Sequence, residues 1–288
     1  MTTKFVLLVS FFALLVSCKN KEVESISEAP QTEALSEVKP AFQHVLDSAG
    51  LNGSILIFNP KKRTYYSNDF QWAKTGQLPA STFKIPNSII ALETGVITNK
   101  DVIIPWDGTT RGVANWNQDL PFSDAFAYSC VPCYQSIARQ VGNDRMLHYI
   151  DRLGYPGISF EADEIDMFWL TGKSRINQFE QIEFIERLFN KELPIAAKTS
   201  QTVRDIMQLE TSADYTLRGK TGWSTSAEKD NGWFVGVVQK PSTNKTSSEN
   251  HVLYFATNIE PKEGTPIEAF ITGRRGVTEA AIRSLNWP

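Results

Sequence analysis

Strand-forming segments stand at both ends of the foldable part of this chain, and a long helical stretch lies between them. No other feature limits the reachable folds as much. At the N-terminal side, GSILIFN at 53–59 and RTYYSN at 63–68 are rich in β-branched and aromatic residues, and an Asn-Pro-Lys-Lys turn joins them. A short helix at 41–50, ended by Gly50, precedes them. From about residue 79 to 202 the apolar residues recur mostly at helical spacing, most clearly over 81–94, 129–141, 144–153, 178–190 and 199–209. Strand patterns then return at 215–219, 232–240 and 251–259, and a helix at 274–285 closes the chain. The expected plan is α+β: an antiparallel sheet flanked by helices, with an inserted helical region.

The ends of the chain differ in character. Residues 5–16, FVLLVSFFALLV, form an uncharged apolar run of twelve after Lys4. That is well short of the ~20 residues a membrane span needs, and it fits the core of an export signal. Leu15-Val16-Ser17-Cys18 follows and resembles the bacterial lipobox. The resemblance implies a signal peptide over 1–17, cleavage before Cys18, and acylation of Cys18. Several acyl chains on one residue give stable anchoring, so the expected location is exported, periplasmic and lipid-anchored. Residues 19–40 are polar, Glu-rich and interrupted by two prolines, which reads as a tether; the catalytic domain is expected over 41–288. The net charge of −3 gives no reason to expect nucleic acid as a partner, or a membrane contact beyond the anchor. Three His and three Cys are scattered without zinc-ligand pairing, so no metal is expected.

The chemistry centres on Pro79-Ala80-Ser81-Thr82-Phe83-Lys84-Ile85-Pro86-Asn87-Ser88. Ser81 and Lys84 are three apart, so at a helix start they share one face. Free N–H groups at that helix start can receive a developing oxyanion. A Ser hydroxyl needs an adjacent base, and Lys can serve only if burial drives it to lose its proton. Alone, Ser-x-x-Lys occurs on many helices as a surface pair. Here Ser129-Cys130-Val131 follows about fifty residues on, and Lys220-Thr221-Gly222 lies on a strand where Gly222 lets a substrate backbone approach closely. Three such elements in that order do not arise readily by chance.

The set resembles the penicillin-recognising serine hydrolases, and within them the class D (oxacillinase-type) serine β-lactamases. The class is suggested by the Pro79–Ser88 stretch, by Ala91-Leu92-Glu93-Thr94-Gly95, by Ser129-Cys130-Val131-Pro132, by Phe168-Trp169-Leu170 and by Gly219-Lys220-Thr221-Gly222-Trp223. The resemblance runs from about 41 to 285. It implies a serine β-lactamase or penicillin-binding transpeptidase-like fold and hydrolysis of β-lactams. Ser81 would be the nucleophile. Lys84, carboxylated by carbon dioxide or bicarbonate, would be the base, with no other cofactor. Ser129 would carry a proton to the lactam nitrogen. Trp169 and Val131 would stabilise the carbamate, and the N–H groups of Ser81 and Trp223 would form the oxyanion hole. Lys220, Thr221, Gly222 and an Arg on the last helix would bind the substrate. Arg274 is favoured over Arg275 by its offset to Val277 and Ile282. One departure is Val141-Gly142-Asn143, where the class usually has an aromatic residue; it puts one pocket wall in doubt.

Other residues have plainer readings. Without the family, Trp169 between Phe168 and Leu170 would be core. Cys130 and Cys133 form a C-x-x-C, which can signal a redox pair; two buried helix thiols is the preferred reading. His44, His148 and His251 are read as structural, and Glu161 to Asp166 as a solvated acidic loop. Two competing functions share the motifs. One is a β-lactam sensor domain that keeps its acyl group; the other is a peptidoglycan transpeptidase or carboxypeptidase.

Overall fold

The computed structural model describes residues 34–226, 229–241 and 251–287. In chain order the elements are β1 (Leu35–Val38), α1 (Pro40–Ser48), β2 (Leu51–Asn59), β3 (Thr64–Ser67), α2 (Phe70–Ala73), α3 (Lys84–Glu93), β4 (Ile103–Ile104), β5 (Leu120–Pro121), α4 (Phe122–Ala127), α5 (Val131–Val141), α6 (Asn143–Leu153), α7 (Gln178–Phe189), α8 (Ala197–Ile206), β6 (Gln208–Thr211), β7 (Thr216–Ser226), β8 (Lys229–Lys240), β9 (His251–Pro261) and α9 (Ile267–Ser284). Short 3-10 turns fall at Ala80–Phe83, Ala114–Trp116 and Ala162–Glu164.

Seven strands form one sheet in the order β1-β3-β2-β9-β8-β7-β6. The central strands are apolar along most of their length because both faces of the sheet are covered. On β8, Trp233, Val235 and Val237 point into the core shared with the helical region, while Phe234 and Val238 enter the core under α1 and α9. That period of two is what a strand imposes on its side chains. Phe42 and Leu46 from α1 and Phe270, Val277 and Ala281 from α9 complete the second core. The helical region between β3 and β6 packs on the opposite face, where α7 lies against β9. Local signals explain the helix ends. A capping box of Asn177 and Glu180 starts α7, and Gly154 in the left-handed conformation (φ 59°) stops α6.

This is the expected α+β plan, with several corrections. The sheet is mixed rather than wholly antiparallel, because β1 pairs parallel to β3. Residues 35–38 form a strand rather than the expected tether: Leu35 N–H donates to Arg63 O at 2.8 Å and Lys39 N–H to Ser67 O at 2.7 Å. All four of its residues are exposed, so no burial pattern marks it in the sequence; edge pairing defines it. The helix read over 81–94 is a 3-10 turn followed by α3, and that read from 129 begins at Val131 with Cys130 as its cap. Residues 208–209, read as helix, belong to β6, and the last helix starts at Ile267 rather than 274. Cys130 and Cys133 are not free thiols: they form a disulfide, with Cα atoms 5.4 Å apart. The described residues belong to one compact unit that begins at Ala34. Among them no helix is long and apolar enough to cross a membrane. Cys18 and the signal read over 1–17 lie outside the described residues.

Candidate active site

The turn that carries Ser81 is held from two sides. Ala80 takes a left-handed conformation (φ 50°), unusual without glycine, and its N–H donates to Trp169 O at 2.7 Å. On the other side lies β7. A Cβ at Gly222 would stand 3.2 Å from Trp233 Cβ, 3.3 Å from Thr82 Cγ2 and 3.4 Å from Ala80 Cβ. What comes close to Gly222 is thus the protein itself rather than only a substrate, because the Ser81 turn packs on that strand and leaves little room for a side chain.

Lys84 opens α3 with no exposed surface, and its Nζ donates to Ser81 Oγ at 3.0 Å. Burial, with a smaller contribution from the Lys220 charge, pulls its pKa well below the ordinary lysine value. Lys220 on β7 is also buried, and burial followed by the Arg274 charge lowers it to about 7. Lys220 Nζ donates to Ser129 Oγ at 2.9 Å and to Thr221 O at 3.0 Å. Ser129 itself lies in the turn between α4 and α5 with φ 56°, rather than in the helix. The motifs separated in sequence thus meet as two lysine–serine pairs, Lys84–Ser81 and Lys220–Ser129.

Trp169 is fully buried, and its indole stacks on Phe83 with centroids 5.6 Å apart and an 18° interplanar angle. Its Nε1 is buried without a hydrogen-bond partner among the described residues. Buried donors are nearly always satisfied, so this one calls for an acceptor. Val131 is half-buried at the first position of α5. Trp223 is 38% exposed, edge-on to Phe270, and its Nε1 donates to Asp230 Oδ1 at 2.8 Å. Arg274 reaches the motif strand, donating to Gly222 O at 2.9 Å, whereas Arg275 is engaged by Glu210 and Glu279. Val141 is a core residue, 1% exposed, at the end of α5. Of the acidic loop, Asp166 pairs with Arg139, and Glu161 and Glu164 cap a 3-10 turn.

The parts played by three residues, Tyr134, Ser88 and Phe126, escaped the sequence reading. The Tyr134 ring centroid lies 5.1 Å from Lys84 Nζ, and its hydroxyl shares a 2.7 Å hydrogen bond with Ser88 Oγ. Ser88 also donates to Lys84 O at 2.6 Å. Their spacing, four residues after Lys84 and three after Val131, was the available signal. It is a weak one, because every helix offers such pairs. Phe126, whose ring lies 5.6 Å from Lys220 Nζ, carried no signal at all.

A family model described as penicillin binding protein transpeptidase domain matches residues 12–264. Beta-lactamase OXA-48 of Klebsiella pneumoniae is 38% identical over 208 residues, 72% of this chain and 75% of that protein. Among solved structures, the class D β-lactamase YbXI from Nostoc aligns at 39% identity with a TM-score of 0.78, covering 86% of this chain and 99% of that one. The C-terminal domain of the Bacillus licheniformis BlaR penicillin-receptor aligns at 26% identity with the same TM-score, over 88% and 98% of the two chains.

Proposed function

Because the chain belongs to the class D, OXA-type β-lactamases, we propose that it hydrolyses β-lactam antibiotics through an acyl-enzyme on Ser81, with Lys84, carboxylated on its amine, as general base. The buried Ser81–Lys84 pair carries the reading. Burial disfavours the ammonium, and the neutral amine is the form that adds to carbon dioxide, giving a carbamate and releasing one proton. The orphaned Trp169 Nε1 is a fitting donor for such an anion. When formed, the carbamate supplies a base beside Ser81.

The other groups have complementary tasks. Ser81 Oγ attacks the lactam carbonyl carbon, and the ring C–N bond opens. Ser129, held by Lys220 Nζ, is suited to pass a proton to the departing nitrogen. The N–H groups of Ser81 and Trp223 take the developing oxyanion. Arg274, from α9, and Lys220 meet the substrate carboxylate on the motif strand, where a guanidinium can bind both oxygens at once.

The likeness to the BlaR receptor domain favours a second reading, a sensor that is acylated and stays so. One experiment separates them: the purified protein is mixed with penicillin or oxacillin, with and without bicarbonate, while turnover and intact mass are followed. Turnover with a transient adduct on the Ser81 peptide supports hydrolysis. A persistent adduct supports the sensor, and no adduct overturns both. We further place the protein outside the cytoplasm, anchored through Cys18, on the strength of the short apolar run and Leu-Val-Ser-Cys. Labelled palmitate should enter the wild type and not Cys18→Ser; equal labelling rejects the anchor.

A further inference from the structure

The C-x-x-C of this chain lies inside the segment that carries Ser129, and the function described above makes no use of it. Cys130 is the cap of α5, its Sγ accepting from Cys133 N–H at 3.2 Å, and the disulfide joins the cap to the helix's first turn. Pro132 follows with no N–H to offer, so the sulfur link does what a capping side chain would otherwise do. Immediately before it, Ser129 holds a left-handed φ of 56°, a conformation that non-glycine residues keep only where the surroundings over-determine it. Behind the turn, Ser129 N–H donates to Phe126 O at 3.1 Å and Cys130 N–H to Ala125 O at 2.9 Å. Ahead of it, Tyr134 N–H donates to Cys130 O at 3.3 Å, and the disulfide adds a covalent tie.

The tie stands between two contacts of the site. Ser129 Oγ accepts from Lys220 Nζ at 2.9 Å, and one helical turn on, Tyr134 presents its ring to Lys84 Nζ. A loop this short is where cross-linking constrains the unfolded chain least, so the effect of the link is chiefly local. Cys133 is the less covered of the two cysteines. Cys130 is fully buried, but Cys133 lines a cavity of about 70 Å³ with Trp116, Pro132, Ser136 and Arg139.

We propose that the Cys130–Cys133 disulfide is a positioning element for Ser129, so that acylation depends on the thiol redox state of this pair while deacylation does not. The inference rests on Ser129 serving as proton carrier to the lactam nitrogen. A dithiol reductant supplies two electrons and two protons: the S–S bond breaks, two thiols form, and the reductant leaves as its own disulfide. The Ser129 turn then loses its covalent forward tie, and the Lys220–Ser129 contact with it.

The test uses the whole protein, oxidised, reduced with dithiothreitol, and reoxidised, alongside Cys130→Ala/Cys133→Ala. Intact mass reports the thiol state. Single-turnover acylation by penicillin should fall about tenfold on reduction and return on reoxidation, with deacylation changed less than about twofold. The double variant should match the reduced enzyme and ignore dithiothreitol, which also removes any effect through Cys18. The melting temperature is recorded for each form. The inference is overturned if the protein proves two hydrogens heavier after reduction yet acylates at the oxidised rate, if no disulfide is present in the oxidised sample, or if both steps slow together with a lowered melting temperature. If the oxidised protein forms no adduct with penicillin, the proposed function falls as well; a normal oxidised cycle unaffected by reduction leaves that function standing and rejects this inference alone.

Discussion

Lys84 and Lys220 are both buried, and burial is the first cause that lowers the pKa of each. For Lys220 the folded value is about 7 against an ordinary 10.5. Between those limits the unfolded chain holds a proton that the folded chain lacks. Stability therefore rises with pH through that window, and the full penalty applies below pH 7. The thermal midpoint should climb between about pH 7 and 9, and Lys220→Met should remove part of the climb; an identical slope in the variant refutes the assignment. Trp169 allows a sharper test. Trp169→Phe keeps a ring against Phe83 and loses the buried N–H. A hydrogen bond to a charged group contributes about 1.5–3 kcal/mol, so deacylation should slow by about tenfold or more, and the bicarbonate needed for full rate should rise. Stopped-flow deacylation with varied bicarbonate checks both outcomes.

At the level of elements, β7 does the assembling. It lies against the Ser81 turn through Gly222, brings Lys220 to Ser129, and receives Arg274 from α9 at the Gly222 carbonyl. Gly222→Ala places a methyl against Ala80, Thr82 and Trp233, and overpacking of this kind costs about 1–3 kcal/mol. Turnover should fall with it, since the displaced neighbour is the nucleophile's turn; a denaturant midpoint and a single-turnover rate measure the two effects. The two arginines of α9 should behave differently. Arg274→Ala should raise KM strongly for carboxylate-bearing substrates. Arg275→Ala breaks solvent-accessible ion pairs with Glu210 and Glu279, which solvent screens, so stability and KM should both change little. Steady-state kinetics on both variants decide between them.

Across the whole molecule, β1 is one edge of the sheet and β7 lies next to the other, with β3, β2, β9 and β8 between them. A chain starting at Ala34 keeps all the described strands and is the reference. One starting at Ala41 loses the pairing of Leu35–Val38 with β3 and should melt a few degrees lower while its kcat stays unchanged. Thermal melts and kinetics on the two truncations check this. The same contrast divides what could be read in advance from what could not. The sequence alone was enough for the strand–helix–strand plan, because a buried sheet and an amphipathic helix each impose a periodicity on their own residues. It was also enough for the Ser81–Lys84 pair, whose three-residue spacing is local. Gly222 was legible as a position wanting close approach, although the approaching group is the Ser81 turn. What distant partners decide was not legible. β1 exists only because β3 offers it an edge, and β6 only because β7 does. Cys130 and Cys133 looked like core thiols because helical spacing says nothing of whether two sulfurs meet. The left-handed turns at Ala80 and Ser129 are held by Trp169 O and by the α4–α5 junction, and neither shows in their own side chains. Arg274 was favoured by an apolar offset, but its bond to Gly222 O lies between residues fifty-two positions apart. Such contacts follow from how the layers pack, since their energy depends on groups that only the folded chain brings within reach.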